Sequence, residues 1–357
     1  MRTSAEGGSV PSDPRPHSTS RARSVAPGLL AAGLVAAVAT GLGRLVPIVG
    51  GPVFAIVLGV LTAAVLNARG RGARLEAGAK FAGGAVLQLS VVVLGAGLSL
   101  RQVLRTGAAS LPVMLGTLAV ALLGAALIGR ALRISGQTRT LIGVGTGICG
   151  ASAIAAVTAV IGAAEADVAY AIATIFTFNI VAVLLYPALG HLLGLSQHAF
   201  GLWAGTAIND TSSVVAAGTT YGSAAASYGV IVKLTRTLMI IPICVALGAF
   251  AGRSARTGRA PSTGRPALPW RRMVPIFLVG FLVASALDTV GAIPAAWHGG
   301  LATTSTFLIT VALAGIGLTT RPVALRAAGP RPLLLGAILW AAVGITSLLL
   351  QRVTGTL

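Results

Sequence analysis

Asp210 has the clearest chemical possibilities in this 357-residue chain, which holds only seven acidic side chains. Glu6, Asp13 and Glu76 fall in a tail or a basic loop, Glu165 and Asp167 at the edge of an apolar run, and Asp288 near the end of another. Asp210 alone sits in the middle of such a run, in "GTAINDTSSVVAAG", which begins at Gly205. Sixty residues earlier "GTGICGASAIAA" begins at Gly145 and repeats the pattern: G-T-x-I, Ser at the eighth position, Ile or Val two residues on, Ala two beyond. One run later, "VIVKLTRTLMIIP" carries Lys233 and Arg236, spaced i,i+3 and therefore on one helix face. A carboxylate at membrane depth is suited to carry a proton or a coupling cation. A Lys and an Arg facing a hollow suit an oxyanion, the Arg bidentately.

The two phrases also predict how such groups are positioned. Gly weakens a helix, and Ser, Thr, Asn and Asp compete for its backbone hydrogen bonds. In hydrocarbon, a broken helix is tolerated only where it is buried in protein or lines a wet cavity. Half-helix N-termini facing that cavity would present free N–H groups and a positive dipole end to an anion. The substrate-binding candidates are Thr146, Cys149, Ser152, Asn209, Thr211, Ser212, Ser213, Lys233 and Arg236, with Asp210 as the site of a coupling proton or Na⁺. Blander readings compete: small residues as helix-packing surfaces, Lys233 and Arg236 snorkelling to headgroups, Asp210 in a structural ion pair, Cys149 as a packing residue, and Asn179 and Thr177 as interhelical hydrogen-bond glue. His191 and His198 fall in a loop. Cys149 and Cys244 give neither a disulfide framework nor metal-ligand spacing. No nucleophile elbow, HExxH, P-loop or GxGxxG stands in a suitable context. A membrane protease would need a mid-membrane His or a second Asp. No enzyme, cofactor or metal is expected.

The elements that carry these residues are apolar runs. The chain is 55% hydrophobic and 9% charged, with mean hydropathy +0.91, against roughly 25% charged in a soluble domain. This predicts an all-α polytopic membrane protein. A first span runs from Pro27 to Val49; others cover about 51–67, 81–100, 110–129, 140–163, 168–189, 200–218, 226–250, 274–292, 301–319 and 332–351. Alternating strands of a membrane barrel are absent from the pattern. Residues 1–26, rich in Pro, Ser, Gly and Arg, predict a disordered tail. A basic linker at 252–273 divides a membrane core (27–251, with both phrases) from a three-helix portion (274–357).

The net charge of +19 does not indicate nucleic acid, because the basic residues lie between apolar runs and aromatics are only 5%. With a cytoplasmic N-terminus, twenty of the 26 Lys and Arg fall inside, and only Arg44, Arg101, Arg105 and Arg352 outside. Eleven spans, or nine spans with 140–163 and 200–218 re-entrant, keep that balance equally well. In the second case the two re-entrant elements enter from opposite faces, the geometry of an inverted pair meeting at midplane.

"GTGICGASAIAA", "DVAYAIATIFTFNIVAVLLYPALG", "GLWAGTAINDTSSVVAAG" and "VKLTRTLMIIP" together resemble the bacterial YeiH-like family, labelled sulfate exporters. The similarity covers the chain from about residue 27 onward and is densest at 140–245. It implies kinship with the cation/proton antiporter and bile-acid transporter superfamily, with inverted repeats and helices broken at midplane. Asn209 stands where family members often carry His, which places proton coupling on Asp210 alone. The expected function is secondary active transport of a small anion such as sulfate, the family's label, or sulfite across a bacterial inner membrane. A cation/proton antiporter using Asp210 and a non-transporting scaffold or sensor are the alternatives. The expected partners are the anion, the lipid bilayer and a coupling H⁺ or Na⁺; a monomer and a homo-oligomer are equally compatible with the sequence.

Overall fold

A computed structural model describes residues 18–45, 50–70, 72–256, 275–320 and 329–357. Every regular element among the described residues is a helix. The order is α1 (Ser18–Leu45), α2 (Gly50–Ala68), α3 (Ala73–Phe81), a π turn (Ala82–Val86), α4 (Leu87–Gly95) and α5 (Leu100–Ala131). Then come α6 (Gly136–Gly147), α7 (Ala151–Ile161), α8 (Glu165–Leu192), α9 (Gln197–Ala207), α10 (Thr211–Tyr221), α11 (Ser223–Thr237) and α12 (Ile240–Arg256). Beyond residue 274 follow α13 (Ile276–Thr289), a 3₁₀ turn (Ala295–Trp297), α14 (His298–Thr319) and α15 (Pro330–Thr354).

Eight helical stretches among the described residues are long and apolar enough to cross a membrane, the longest being Leu100–Ala131. The protein is therefore a polytopic α-helical membrane protein. α13, with 14 residues, is shorter. Its C-terminal end nevertheless meets the α4–α5 turn: Ser285 Oγ donates to Gly95 O at 3.0 Å, and Leu100 N–H donates to Thr289 Oγ1 at 2.6 Å.

Both Gly/Ser/Thr phrases break their helices, and both form hairpins. The ends of α6 and α7 lie together: Gln137 Oε1 accepts from Ala164 N–H at 3.1 Å, Ser135 Oγ donates to Asp167 Oδ1 at 2.6 Å, and Thr138 Oγ1 donates to the same carboxylate. The ends of α9 and α10 do the same: Gln197 Oε1 accepts from Ala224 N–H at 3.0 Å, and Tyr221 OH donates to Leu195 O. The first hairpin closes at the first turn of α8 (Asp167), the second at its last turn, where His191 stacks on Tyr221 with ring centroids 4.3 Å apart. α8 has 28 residues, about 42 Å at 1.5 Å per residue. The hairpins therefore enter from opposite faces, and their tips meet in the middle. Gly150, at φ +67°, marks the contact: a Cβ there would lie 3.3 Å from Asp210 Cβ. A side chain would be strained there both by the backbone and by the approaching tip.

The helices pack as two bundles. One joins α1–α4 with α13 and α14; the other joins α5–α12 with α15. The first is drawn tight by glycines: a Cβ on Gly28 would meet Leu75 O at 2.1 Å, and one on Gly317 would meet Ile56 O at 2.5 Å. Such close backbone approach is how helices associate where lipid removes the hydrophobic drive between them. α10 against α2 and α14, and α5 against α13, form the seam between the bundles.

Two expected boundaries shift. α1 starts at Ser18, so residues 18–26 of the expected tail are helical, and residues 1–17 lie outside the described residues. The C-terminal three helices do not stand apart: α13 and α14 complete the first bundle and α15 packs on α5, α6, α8 and α9. Apolar helix faces have no preference for the neighbour in sequence, so the linker does not mark the seam. Most of that linker, from residue 257, lies outside the described residues.

Gly317→Ala is expected to lower stability by about 1–3 kcal/mol, as overpacking does, despite the better helix propensity of Ala. Thermal denaturation in detergent checks this; an unchanged midpoint would show that α2 and α14 are not packed backbone to backbone.

Candidate functional site

Each hairpin tip leaves two kinds of unpaired backbone group in the middle of the protein. α6 and α9 end there, exposing carbonyls; α7 and α10 begin there, exposing N–H groups. With no water in a hydrocarbon core, each orphan costs several kcal/mol. The solution for the carbonyls is Lys233 and Arg236, both 0% exposed on α11. Lys233 Nζ donates to Ile148 O at 2.9 Å and Ile208 O at 2.7 Å. Arg236 donates through Nη2 to Thr146 O at 3.0 Å and through Nη1 to Thr206 O.

The acceptors are pairs sixty residues apart, one from each phrase. Each cation thus bridges equivalent carbonyls of both tips, at the negative ends of two half-helix dipoles. This burial is not that of snorkelling side chains, and neither residue lines the cavity in front of the tips. The expectation that Lys233 and Arg236 face the hollow is corrected: they lie behind it. Burying two cations is costly; four carbonyls and two dipole ends offset the cost.

The N-terminal ends are treated differently. Asp210 caps α10, its Oδ2 accepting from Ser213 N–H at 3.2 Å and from the Ser212 hydroxyl. The equivalent position in the first phrase is Gly150, which has no side chain to cap α7. One half-helix therefore carries its own anionic cap and the other is open.

In front of the tips lies a cavity of about 830 Å³. Cys149, Ala151 and Ser152 line it from the first hairpin, Asp210, Thr211, Ser212 and Ser213 from the second, and Asn179 from α8. The opposite wall comes from the first bundle, including Val60 on α2, Gly83 and Gly84 in the π turn, and Gln88 on α4. The cavity thus spans the seam between the bundles. A π turn inserted at such a wall is a common device at functional sites.

Of the residues expected to bind substrate, Cys149, Ser152, Thr211, Ser212 and Ser213 line this cavity, with Asp210 beside them. Thr146 and Asn209 do not: both are 1% exposed, Thr146 giving its carbonyl to Arg236 and Asn209 donating its N–H to Asn179 Oδ1 at 3.3 Å. Four polar atoms around the tips are buried without a protein partner: Asp210 Oδ1, Asn209 Oδ1, Asn179 Nδ2 and Arg236 Nε. Asn179 is therefore more than glue between helices, because its amide oxygen holds the second tip and its amide nitrogen is left over. Sequence reasoning underrated Asn179, since one Asn in an apolar run carries no pattern. It missed Gln137 and Gln197, which were within reach: they too lie sixty residues apart, in register with the repeat.

Among the described residues, no cluster of His, Cys, Asp and Glu is suited to hold a metal ion. Cys149 and Cys244 are free thiols.

A polytopic helical protein with two opposed hairpins around a central cavity defines the class. Comparison with known proteins defines the family. The chain belongs to the family described as "Conserved hypothetical protein 698", whose model matches residues 27–336. It is 43% identical over 333 residues to a UPF0324 membrane protein of Streptococcus pyogenes serotype M18, covering 92% of this chain and 97% of the relative. It is 41% identical over 335 residues to a UPF0324 membrane protein of Streptococcus pneumoniae strain R6, with the same coverage. No solved structure matches the chain.

Lys233→Met and Arg236→Met are each expected to destabilise the protein by about 2–6 kcal/mol, since each leaves two buried carbonyls unsatisfied at about 1–3 kcal/mol apiece. Arg236→Lys keeps the charge but cannot span two carbonyls with a planar fork, and should fall between. Yield of monodisperse protein and its melting midpoint in detergent measure this. Wild-type stability in either Met variant would contradict the capping role.

Proposed function

We propose that the protein is a secondary active transporter that carries a small anion across a bacterial inner membrane, with its N-terminus in the cytoplasm. The observation that carries this reading is the pairing of the two hairpins: tips meeting mid-protein, and a cavity placed on the seam between two bundles. The hairpins form an inverted repeat in this reading. Rocking or sliding of one bundle against the other would open that cavity to alternate faces. The distribution of Lys and Arg supports the orientation, because twenty of the 26 fall in the segments that it puts in the cytoplasm.

The open N-terminus of α7, the Ser152 hydroxyl and the free Asn179 amide donate toward an oxyanion. Lys233 and Arg236 contribute through the field behind the tips, two cations against the single carboxylate of Asp210. The resemblance to the YeiH-like exporters names sulfate and an outward direction, and sulfite is the related oxyanion we add to it. Asp210 is the coupling group. Its Oδ1, unpartnered beside the cavity, accepts a proton or a Na⁺ in one access state and releases it in the other. The neighbouring free acceptor Asn209 Oδ1 favours a second reading, in which a cation at Asp210 is itself the cargo.

Asp210→Asn tests the mechanism. Asn caps helices as well as Asp, so the variant should fold with wild-type stability. Coupled flux into proteoliposomes under a pH or Na⁺ gradient should fall at least tenfold, while exchange of anion for anion persists. Equal gradient-driven flux in variant and wild type would remove Asp210 from the coupling step. Loss of cation flux with no anion flux in the wild type would favour the second reading.

A further inference from the structure

Lys233 and Arg236 do not line the cavity. Among the described residues, Lys80 is the only Lys or Arg that does. It stands in the last turn of α3, on the wall opposite the tips. Its side chain is 66% exposed and pairs with Glu76 one turn earlier, Nζ to Oε1 at 2.7 Å. Three other polar side chains share that wall: Gln88 on α4, and Thr319 and Thr320 at the end of α14. The two threonines have already given their hydroxyl protons to their own helix. Thr319 Oγ1 donates to Ile316 O at 3.0 Å and to Gly315 O at 3.2 Å, and Thr320 Oγ1 donates to Ile316 O at 2.8 Å. The side-chain donors that this wall offers a ligand are therefore the Lys80 ammonium and the amide of Gln88, which is exposed.

The backbone between them brings these two donors to one cavity. An unbroken α-helix would turn position 88 about 80° away from position 80. The π turn at Ala82–Val86 takes up an extra residue and brings the two back toward one face. Gly84 lies between them, and a Cβ there would meet nothing within 4 Å, so the strip joining the donors is open. The ion pair with Glu76 does not lock Lys80 in place. An exposed i,i+4 pair is weak, and the ammonium sits on a flexible four-carbon stem with three donors. The tips face the cavity with the carboxylate of Asp210, which repels an anion, whereas Lys80 attracts one from the opposite wall. We infer that Lys80 is the direct charge partner of the anion: an oxyanion entering the cavity takes the place of Glu76 on the Lys80 ammonium, and the Gln88 amide donates beside it. This rests on the anion-transporter reading and assigns the contact that the first bundle makes with the cargo.

Lys80→Met and Glu76→Gln supply the test, because both delete the same ion pair and the inference gives them opposite effects. Sulfate, sulfite and methanesulfonate are titrated calorimetrically into the full chain in lipid nanodiscs, and counterflow of the same anions is measured in proteoliposomes. Lys80→Met is expected to weaken binding of the tightest of the three at least fivefold; a smaller loss overturns the inference. Glu76→Gln removes the competing carboxylate and is expected to tighten binding. Unchanged or weaker binding in Glu76→Gln overturns the inference, since the pair would then serve only to hold α3. Lys80→Arg keeps the charge and should bind more tightly than Lys80→Met; equal impairment of the two also overturns it. Melting midpoints establish that each variant is assembled, and Lys80→Gln takes the place of Lys80→Met if the latter does not assemble. Counterflow separates the two levels. Exchange in Lys80→Met at wild-type affinity leaves the transporter standing and removes this contact. No anion bound and none exchanged by the wild type removes both.

Discussion

A peptide group cannot be left unpaired in hydrocarbon, and this constraint organises the structure. Once the two phrases break their helices, four carbonyls at the meeting tips need donors that no neighbouring helix backbone can offer. Lys233 and Arg236 supply them from one face of α11, each tying a carbonyl of the first hairpin to its counterpart in the second. The same contacts fix where the half-helices end, how the tips abut, and hence where the free N-termini of α7 and α10 point. A cation that holds both tips also ties them to each other.

That arrangement separates two tasks that a first look at the charges merges. Lys233 and Arg236 build the floor behind the tips, and the groups by which the tips themselves line the cavity are neutral side chains and one carboxylate. The asymmetry between Gly150 and Asp210 is central. At equivalent positions of the repeat, one tip has no side chain and a left-handed backbone, and the other has an acid that caps its helix. Symmetric tips would give two identical dipole ends. Here one is answered within the protein and the other faces the hollow. The bundle of α1–α4, α13 and α14 provides the far wall and is held tight by its glycine contacts.

Much of this was legible in the residues. Low charge and long apolar runs announce a helical membrane protein, and Gly, Ser, Thr, Asn and Asp in two matching phrases announce the breaks at 148–150 and 208–210. The re-entrant geometry was not decidable from charge, because 190–199 carries no Lys or Arg and changes side without disturbing the balance. What decides it are the side chains that close each hairpin, Gln137 on Ala164 and Gln197 on Ala224. The role of Lys233 and Arg236 was out of reach for a different reason. Their spacing says they share a face, but carbonyl acceptors belong to the backbone and leave no mark in the sequence. The bundle membership of α13, α14 and α15 was illegible for the same kind of reason, since lipid-facing and protein-facing apolar residues are of the same types.

The central claim is that the two hairpins enter from opposite faces, and single cysteines at Ala164 and Ser223 test it most directly, in a background with Cys149 and Cys244 replaced by Ala. Both positions are exposed, each just beyond the end of one hairpin. In sealed vesicles of one orientation, a membrane-impermeant maleimide should label one of them from outside and reach the other only after the membrane is opened. Labelling of both from the same face would mean that 197–221 crosses the membrane instead of returning to the face it enters from, and the meeting of the tips, with everything built on it, would be contradicted.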